Sequence, residues 1–230
     1  FRRTVIPSDA MGNYIKNATI AIEDKEFYNH NGFRAKSFVR AVLVNLTTGR
    51  FSQGGSTITQ QIVKNSLLTQ EKTITRKIKE IVLSLRVERV LTKDQLLTAY
   101  LNDSPYGGNI YGISEAALAY FRKKPADVTL AEAAYLAAIP QAPTRYSPFG
   151  THRDELDARK NEVLSEMLSM NTITQEEYTK AKAEVVEFKQ DENKGIKAPH
   201  FVFYVRDYLV EKYGEEAIQN GGMSVITTLD

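Results

Sequence analysis

Four copies of one helix-start signal constrain the fold of this 230-residue chain more than any other feature. In each copy a threonine stands three residues before a glutamine or glutamate, which is the spacing of a capping box. The two side chains then satisfy backbone N–H groups that the first turn of a helix leaves unpaired. The copies are Thr57/Gln60, Thr92/Gln95, Thr129/Glu132 and Thr174/Glu177. Helix starts spread along the whole chain predict a mostly α fold.

Apolar residues at helical spacing predict further helices. We expect a first helix from Ser8 or Asp9 to about Glu23 and a second over residues 35–46. The buried face of the first would carry Met11, Ile15, Ala18 and Ile22. A longer helix over residues 73–90 would pack through an apolar stripe. That stripe consists of Ile74, Ile78, Ile81, Val82 and Leu85.

Glycine and proline separate the remaining elements. They predict loops over residues 103–112 and 140–150, and a linker over residues 191–199. The alanine-rich residues 131–138 belong to the core, because small side chains permit close helix packing. Beyond the linker we expect one more helix, and then a turn that enters a strand at SVITTLD.

Composition excludes several classes of protein. The chain has no cysteine, which rules out disulfides and thiolate metal sites. Its net charge of +2 is too small to indicate a nucleic-acid partner. No run of eighteen apolar residues occurs, so the sequence carries no signal for a membrane-spanning helix. The abrupt start at FRRTVIPSD and end at SVITTLD lead us to expect a piece of a longer protein.

Positive charge concentrates after a glycine-rich helix start. The stretch QGGSTITQQIVKN places two glycines before a helix N-terminus, whose free N–H groups and dipole attract anions. A strongly basic segment, 64–93, follows, where Arg76, Lys77 and Glu80 can share one side of a helix. By itself an Arg76–Glu80 pair would be an ordinary surface ion pair. Together with the helix start, the segment predicts a phosphate or pyrophosphate site.

The stretch EDKEFYNHNG, residues 23–32, sets two acids beside an aromatic residue and a histidine. Such a polar run is most often a solvated loop after a helix. The alternative is a catalytic cluster. The residues of this stretch alone do not decide between the two.

The motifs in order resemble the glycosyltransferase domain of class A, bifunctional penicillin-binding proteins, the lysozyme-like peptidoglycan polymerases of family 51. The matching stretches are EDKEFYNHNG, RAVLVNL, QGGSTITQQIVKN, RKIKE, KDQLLTAYLN, YGGNIYGISEAALAYF, LAEAAYLAAIPQAPTRYSP and ARKNEVL. The resemblance covers about Val5 to Met170, and GGMSVITTLD is similar to the family's linker into its transpeptidase domain. One departure is Arg122, at a turn where the family leads us to expect glycine.

The resemblance implies a lysozyme-like helical domain over residues 1–195, with a smaller membrane-facing lobe at about 36–55. Residues 196–230 would form the helix and short strand of a linker towards a transpeptidase domain. The resemblance also implies two catalytic glutamates. Glu23 would be the base that takes the proton of the acceptor sugar's C4 hydroxyl, and Glu80 would lie near the donor pyrophosphate.

The substrate-binding residues also follow from the resemblance. They are Asp24, Phe27, His30, Arg40, Ser56, Thr57, Gln60, Gln61, Lys64, Asn65, Lys72, Arg76 and Lys77. Among these, Lys64, Lys72, Arg76 and Lys77 would bind the diphosphate, and Arg40 would lie on the acceptor side. Asp24, Phe27 and His30 are expected to shape the first motif rather than to react, because a lone histidine shuttles protons only with a placed partner.

The implied reaction is the polymerisation of lipid II into β-1,4 glycan, with inversion and release of polyprenyl diphosphate. Cations stabilise the charge that the leaving group gathers. No cofactor or metal site is expected, although a divalent cation near Glu80 is a second way to carry that charge. The partners would be lipid II, the growing glycan and the transpeptidase domain, with no nucleic acid. Moenomycin-type antibiotics would occupy the donor side.

The lipid tail of this substrate requires an enzyme at the membrane surface. The resemblance implies the extracytoplasmic face of the bacterial cytoplasmic membrane and an N-terminal transmembrane anchor outside this sequence. The stretch 38–51, FVRAVLVNLTTGRF, combines apolar residues with Arg40 and Arg50, as an interfacial helix does. A plain core helix has the same periodicity.

Two other functions are consistent with parts of the sequence. A lysozyme-like hydrolase or lytic transglycosylase would also use two carboxylates. The basic segment disfavours it, because neighbouring cations lower the pKa of a general acid that must keep its proton. A non-catalytic helical adaptor or membrane-docking module needs neither Glu23 nor the polar GGSTITQQ helix start.

Overall fold

The computed structural model describes residues 3–35, 56–67, 73–189, 199–214 and 225–227. Regular structure in these ranges is almost entirely helical, which confirms the predicted mostly α class. The α-helices are α1 (Asn13–Glu23), α2 (Ile58–Leu67), α3 (Ile74–Val87), α4 (Lys93–Asp103), α5 (Ile113–Phe121), α6 (Leu130–Ala138), α7 (Arg153–Ser169), α8 (Gln175–Ala183) and α9 (Pro199–Tyr213). Short 3₁₀ turns occupy Ser8–Met11, Phe27–Asn29, Pro125–Asp127 and Ile139–Gln141. None of the described helices is both long and apolar enough to cross a membrane.

All four predicted capping boxes form. Complete boxes open α4, α6 and α8, with the threonine side chain and the third-residue side chain each bonded to the other's backbone N–H. At α2, the Gln60 N–H donates to Thr57 Oγ1 at 3.1 Å, and the Thr57 N–H donates to Gln60 Oε1 at 2.9 Å. Local side-chain chemistry therefore sets where these helices begin.

The first predicted helix is interrupted, and this corrects the sequence interpretation. A 3₁₀ turn over Ser8–Met11 is separated from α1 by Gly12, whose φ is 76°. A Cβ on Gly12 would lie 2.9 Å from the Pro125 carbonyl oxygen, so the chain needs glycine there. Ile22, which was predicted to be buried, is only half-buried at the end of α1.

The predicted loop over residues 103–112 contains a small antiparallel hairpin. Strand β1 (Pro105–Gly107) pairs with β2 (Ile110–Tyr111) in an irregular register. The hairpin is anchored from below, since the Tyr120 hydroxyl donates to the Tyr106 carbonyl oxygen. It therefore holds the chain after α4 against the core.

The core centres on α6, whose nine residues are all buried. Helices α1 and α7 pack on either side of α6 and also contact each other. The prediction that residues 131–138 belong to the core is confirmed. Helices α2, α3 and α4 form a second group, in which α2 packs on both α3 and α4.

The orientation predicted for α3 is wrong. The stripe residues Ile78, Val82 and Leu85 are 58%, 43% and 39% exposed. The buried side chains of this helix are instead Glu80 and Ser84. On this inward side, the Ser84 carbonyl oxygen would lie 2.8 Å from a Cβ on Gly32 in the loop after α1, and Lys77 donates to Ser56 just before α2.

The turn after α5 takes the conformation that glycine favours. Arg122 has φ 57° and ψ 32°, in the left-handed region, and its N–H closes the end of α5. A side chain in this conformation costs about 1 kcal/mol relative to glycine. Arg122 thus lies at a turn, as the sequence comparison had predicted.

The chain divides into two compact units, residues 1–190 and 191–230. In the second unit the predicted helix after the linker is confirmed as α9. Residues 225–227 have no regular structure there, and the other residues of the predicted final strand lie outside the described residues. The predicted lobe at 36–55 lies outside them as well, and so does the second predicted helix except for its first residue, Ala35.

Candidate active site

A cleft of about 710 Å³ lies where the end of α1 meets α2, α4 and α7. Five of the predicted site residues line it, namely Glu23, Ser56, Gln61, Lys64 and Asn65. The fold therefore brings residues from the acidic stretch and from the GGST stretch to one cavity. That convergence answers the question that the acidic stretch left open, because Glu23 faces a cleft rather than bulk solvent.

Glu23 is the last residue of α1 and is half-buried in the cleft wall. Gln61, one turn into α2, donates from Nε2 to Glu23 Oε2 at 2.7 Å. Burial raises the pKa of the Glu23 carboxyl, the Gln61 hydrogen bond and the charges of Arg159 and Lys64 lower it, and Asp24 raises it. The net direction is upward, which makes this carboxylate a stronger base than an exposed glutamate.

Asp24, the next residue, is fully buried and supports α2. Its Oδ2 accepts from the Ile58 N–H at 3.1 Å, at the start of that helix. Asp24 also contacts His30 Nε2 at 2.8 Å and Arg34 Nη1 at 3.4 Å. Because the Gly32 N–H donates to His30 Nδ1 at 3.0 Å, the imidazole donates to Asp24 through Nε2. Asp24 and His30 thus fix the loop and the helix on either side of Glu23.

The N-terminus of α2 is occupied by protein groups, which corrects the expectation that its backbone holds an anion. The N–H groups of Thr57, Ile58 and Gln60 already donate to side chains of Gln60, Asp24 and Thr57. Thr57 and Gln60 are buried and contribute no cleft surface. An anion in the cleft would therefore meet side chains rather than these backbone groups.

Gly32 connects the acidic stretch to α3. Its φ is 86°, and a Cβ there would lie 2.8 Å from the Ser84 carbonyl oxygen. Its own carbonyl oxygen accepts from Thr57 Oγ1 at 2.8 Å. Only glycine permits both the conformation and the close approach. Ser84, whose hydroxyl donates to the Glu80 carbonyl oxygen at 2.7 Å, is thereby turned inward.

Glu80 is 2% exposed and pairs with Lys77, whose Nζ also donates to Ser56 Oγ at 2.9 Å. The Arg76–Glu80 surface pair considered from the sequence does not form, because Glu80 points inward and Lys77 reaches it instead. Arg76 is half-buried, and within the described ranges its Nε finds no hydrogen-bond partner. Through Lys77 and Ser56, Glu80 is connected to the cleft without lining it.

Phe27 is fully buried and lies under the loop rather than in the cleft. The Lys93 ammonium stands 4.6 Å from its ring centroid and also pairs with Glu88 at 2.7 Å. The ring packs edge-to-face against Tyr28 at 5.2 Å. Phe27 therefore holds the loop, and a ligand in the cleft does not reach it.

A second groove, of about 850 Å³, lies between the N-terminal segment, α2 and α4. Its carboxylates are Asp94 and Asp103, and Asp103 pairs with Arg3 at 2.9 Å. Neither carboxylate is buried, since Asp94 is exposed and Asp103 is half-buried. The groove is similar in size to the cleft, but it contains no buried base.

Comparison with known proteins identifies the family. Residues 1–168 match the family model described as transglycosylase. The chain belongs to the transglycosylase family. The resemblance inferred from the sequence motifs is therefore confirmed.

Relatives of this transglycosylase chain include penicillin-binding protein 1A of Aquifex aeolicus, 41% identical over 229 residues. That match covers 100% of this chain and 31% of the relative. Penicillin-binding protein 1A of Vibrio cholerae is 40% identical over 230 residues, covering 100% of this chain and 28% of the relative. The chain thus spans less than a third of the length of these relatives.

A solved structure shares the fold. The 2.6 Å crystal structure of penicillin-binding protein 1A from Haemophilus influenzae matches with a TM-score of 0.54 and 23% sequence identity. The match covers 94% of this chain and 22% of that chain. At this identity the likeness concerns the fold alone, and it agrees with the helical transglycosylase architecture described above.

Three groups of predicted site residues can be distinguished in the transglycosylase cleft and around it. Cleft-lining residues are Glu23, Ser56, Gln61, Lys64 and Asn65. Supporting residues that contact protein are Asp24, Phe27, His30, Thr57, Gln60, Lys77 and Glu80. The third group consists of Arg76, which is on α3 and does not line the cleft, and of Arg40 and Lys72, which lie outside the described residues. Their roles towards substrate stay predictions.

Tyr100 and Arg159 are among the cleft residues of this transglycosylase that sequence reasoning missed. Tyr100, in the matched stretch KDQLLTAYLN, lines the cleft on α4, and burial together with the Glu23 charge raises its pKa well above the ordinary value. Arg159, in the matched stretch ARKNEVL, lines it on α7. Both stretches had been recognised, but nothing in the sequence indicates that α4 and α7 face α1.

Proposed function

We propose that this domain is a peptidoglycan glycosyltransferase that polymerises lipid II into β-1,4 glycan strands. The observation that carries the proposal is the Glu23 carboxylate, held in a cleft by Gln61 and with its pKa raised by burial. A sugar hydroxyl is a poor nucleophile until a positioned base takes its proton. Family membership supplies the reaction class, and Glu23 supplies the group that the reaction needs.

The base would act on the C4 hydroxyl of the acceptor sugar. Its Oε2 accepts from Gln61, which leaves lone pairs on Oε1 for the incoming hydroxyl. Attack on the anomeric carbon from the side opposite the diphosphate inverts that centre, so an α-linked donor yields a β-linked product. Direct displacement needs one base and one stabilised leaving group.

Cations in the cleft and at its edge would stabilise the departing diphosphate. Lys64 lines the cleft, and Lys77 reaches Ser56 at its edge. Charge that develops on the leaving oxygens is offset best by groups that are already fixed in place. In this mechanism Glu80 orients Lys77, and Glu23 alone moves a proton.

No cofactor is required in this proposal, and a divalent cation near Glu80 is a second way to carry the charge of the leaving group. No three His, Cys, Asp or Glu side chains within the described ranges are arranged to hold a metal ion. A cation near Glu80 would then need oxygen ligands from the substrate diphosphate. Polymerisation assays with and without a chelator would measure its contribution.

The hydrolase alternative is not favoured. A glycan hydrolase needs a second carboxyl group that flanks the scissile bond as an acid or nucleophile. Here the second predicted glutamate, Glu80, is buried against Lys77 and does not line the cleft. The other carboxylates of the cleft, Glu162 and Glu166, are held in ion pairs with Arg159 and Lys25. The membership of the chain in the transglycosylase family supports transfer to a sugar acceptor.

The proposal includes the partners of the whole protein. They would be lipid II, the growing glycan strand, the membrane surface and a transpeptidase domain in the same chain. The extracytoplasmic face of the cytoplasmic membrane is the expected location, because the substrate lipid stays in the bilayer. Moenomycin-type phosphoglycolipids would compete for the donor side, and flotation with anionic vesicles at low salt would test membrane association.

The deciding experiment measures glycan formation from lipid II in detergent or vesicles. Glu23→Gln should lower the rate by about 10²–10⁴-fold, because a carboxamide cannot take the proton. Glu155→Gln, which removes a half-exposed carboxylate on α7 that pairs with Arg145 outside the cleft, is the matched control and should polymerise like the parent. Equal rates for the parent and a folded Glu23→Gln variant would contradict the assignment of the base.

A further inference from the structure

Arg159 is a cleft cation for which the mechanism above has no use. It lies in the middle of α7, which packs against α1, and its side chain is 14% exposed. Nη1 donates to Glu162 Oε2 at 2.8 Å, while the buried Nε has no hydrogen-bond partner among the residues that the structure describes. Burying a guanidinium with incomplete hydrogen bonding costs free energy. Such a group is retained where its charge has a use.

The partner of Arg159 neutralises it only in part. The Glu162 side chain is 53% exposed, so water screens its carboxylate strongly. The guanidinium belongs to a residue that lines the cleft. Glu162 therefore fixes the direction of the Arg159 side chain more than it cancels its charge. The remaining positive field acts on the cleft, where Glu23 lies.

The charges around Glu23 come from several elements. Asp24 stands beside it, Lys64 faces it from α2, and Arg159, Glu162 and Glu166 line the same cleft from α7. Tyr100 on α4 and Tyr106 on β1 are close enough for the Glu23 charge to raise their pKa values. Of the two cations in this set, Lys64 is exposed and Arg159 is largely buried.

A bound substrate changes the balance between these two cations. It displaces water from the cleft, and the loss of water disfavours the charged form of a carboxylate. An exposed lysine is free to turn towards the substrate diphosphate. A guanidinium that is already fixed in the wall stays in place, and its attraction strengthens as the local dielectric falls.

We propose that Arg159 is a positioning residue for the base, which keeps the Glu23 carboxylate ionised while substrate excludes water from the cleft. This inference rests on the proposed function, since it gives the cation a purpose in proton transfer. It concerns a residue that acts through Glu23 and does not itself touch the reacting atoms.

The test begins with a direct titration of Glu23 in the folded protein. With ¹³C-labelled glutamate, the carboxyl signal of Glu23 is assigned by its absence in Glu23→Gln. Arg159→Gln should move the titration of this signal to higher pH, because a cation that stabilises the carboxylate is gone. Arg159→Lys should stay near the parent, and Glu162→Gln should move the titration to lower pH, because it removes a negative charge.

Arg145→Gln is the matched control for this titration. Arg145 also pairs with a glutamate of α7, Glu155, at 2.6 Å, but it lies outside the cleft. The exchange is the same, from arginine to glutamine in an ion pair. It should leave the Glu23 signal unchanged, and it should show that any shift in Arg159→Gln depends on location.

The second measurement is the pH profile of glycan synthesis from lipid II. On the acidic limb of this profile, the rate of Arg159→Gln relative to its own plateau should be about tenfold lower than the corresponding ratio in the parent. The reason is that less of the base is ionised there. A purely structural role would lower the rate by the same factor at every pH. Glu162→Gln should move the limb in the opposite direction, and it keeps the test open if Arg159→Gln does not fold.

The outcomes separate this inference from the proposed function. Unchanged Glu23 titration in Arg159→Gln, or in Glu162→Gln if that variant alone folds, overturns the role of Arg159, even if the parent polymerises lipid II. Opposite shifts in the two variants support it. If those shifts appear but the parent makes no glycan under any condition, the proposed function is wrong. The stabilisation of the Glu23 carboxylate by Arg159 is then still supported.

Discussion

Helices α6 and α3 solve the problem of packing in opposite ways. All nine residues of α6 are buried, and its sequence is apolar almost throughout. In α3, Ile78, Val82 and Leu85 face outward, and Glu80 and Ser84 face inward. The first helix is held by close packing in the core, whereas the second packs on α2, with its Ser84 carbonyl close to the Gly32 loop and its Lys77 bonded to Ser56.

The difference indicates that α6 mainly stabilises the fold, whereas α3 mainly places groups for the site. Burial of apolar surface is non-directional, so α6 needs only the right size and shape in its neighbours. A buried carboxylate requires a placed partner. In α3 that partner is Lys77 on the same helix, and the Lys77 bond to Ser56 ties this face of α3 to the segment before α2. Helix α3 therefore gives up apolar burial and gains a fixed Lys77 beside the cleft. Four stability measurements and one pH measurement would test this division.

The largest effect is expected for Leu136→Ala in α6. Leu136 is fully buried, so truncation removes apolar contacts and leaves a cavity in the core. The free energy of unfolding should fall by about 2–5 kcal/mol, measured by chemical denaturation. Leu118→Ala in α5 is the control, because this leucine is 51% exposed and should cost far less.

Gly32→Ala should be the next most damaging change. A methyl group would meet the Ser84 carbonyl oxygen at 2.8 Å, at a φ that alanine disfavours. We expect a loss of about 2–4 kcal/mol in unfolding free energy. Gly108→Ala is the control, because Gly108 also has positive φ, 56°, but has nothing within 4 Å of the added Cβ. Equal losses at the two positions would mean that backbone strain alone decides.

Glu80→Gln tests whether α3 serves the site more than the fold. Glutamine keeps an oxygen for Lys77 but loses the charge, and Lys77 retains Ser56 and some exposure. The free energy of unfolding should be about 1–2 kcal/mol lower than that of the parent. Glycan synthesis should fall more steeply, by about 100-fold, because Lys77 is no longer held for the leaving group. Loss of the fold without a folded, inactive form would favour a structural role for Glu80.

Glu23→Gln should lose activity but gain a little stability. The folded pKa of Glu23 is raised above its unfolded value, so ionisation disfavours the folded state. That carboxyl group therefore contributes most at pH below its unfolded pKa, and the contribution is lost as pH rises through the folded pKa. Melting temperatures at pH 4 and pH 8 should show the gain of Glu23→Gln at the higher pH only. A gain of the same size at both values would contradict the raised pKa.

The smallest effect is expected for Ile78→Ser on the outer face of α3. This isoleucine is 58% exposed, and the exchange should change unfolding free energy by no more than about 0.5 kcal/mol. Val63→Ser in α2, where the valine is fully buried, is the contrast and should cost several times as much. A large loss at Ile78 would mean that the outer face of α3 is covered in solution, and it would break the comparison with α6.

The helix starts were predicted correctly, because the side chains of a capping box act within one turn of the chain. The boxes at Thr92, Thr129 and Thr174 open helices where the sequence placed them, and the alanine run became the centre of the core. The break at Gly12 was missed, because the reason for it is a contact with Pro125, more than a hundred residues away.

The candidate site followed from the sequence only in part. The motifs singled out Glu23 and Gln61, and the fold joins them by a hydrogen bond of 2.7 Å. The same motifs did not reveal that Asp24 would cap α2, or that Arg159 would face Glu23 from α7. Ordered motifs indicate which residues take part, but they carry no distances between elements.

The sequence by itself determined the helical class, the starts of the helices, the family and the carboxylate that serves as the candidate base. Side chains within a few residues of one another, and the order of the motifs, are enough for each of these. Only the tertiary structure decided which face of α3 is buried and which cations surround Glu23. The physical reason is that burial and charge depend on neighbours that are distant in sequence, such as Gly32 against Ser84 and Glu23 beside Arg159.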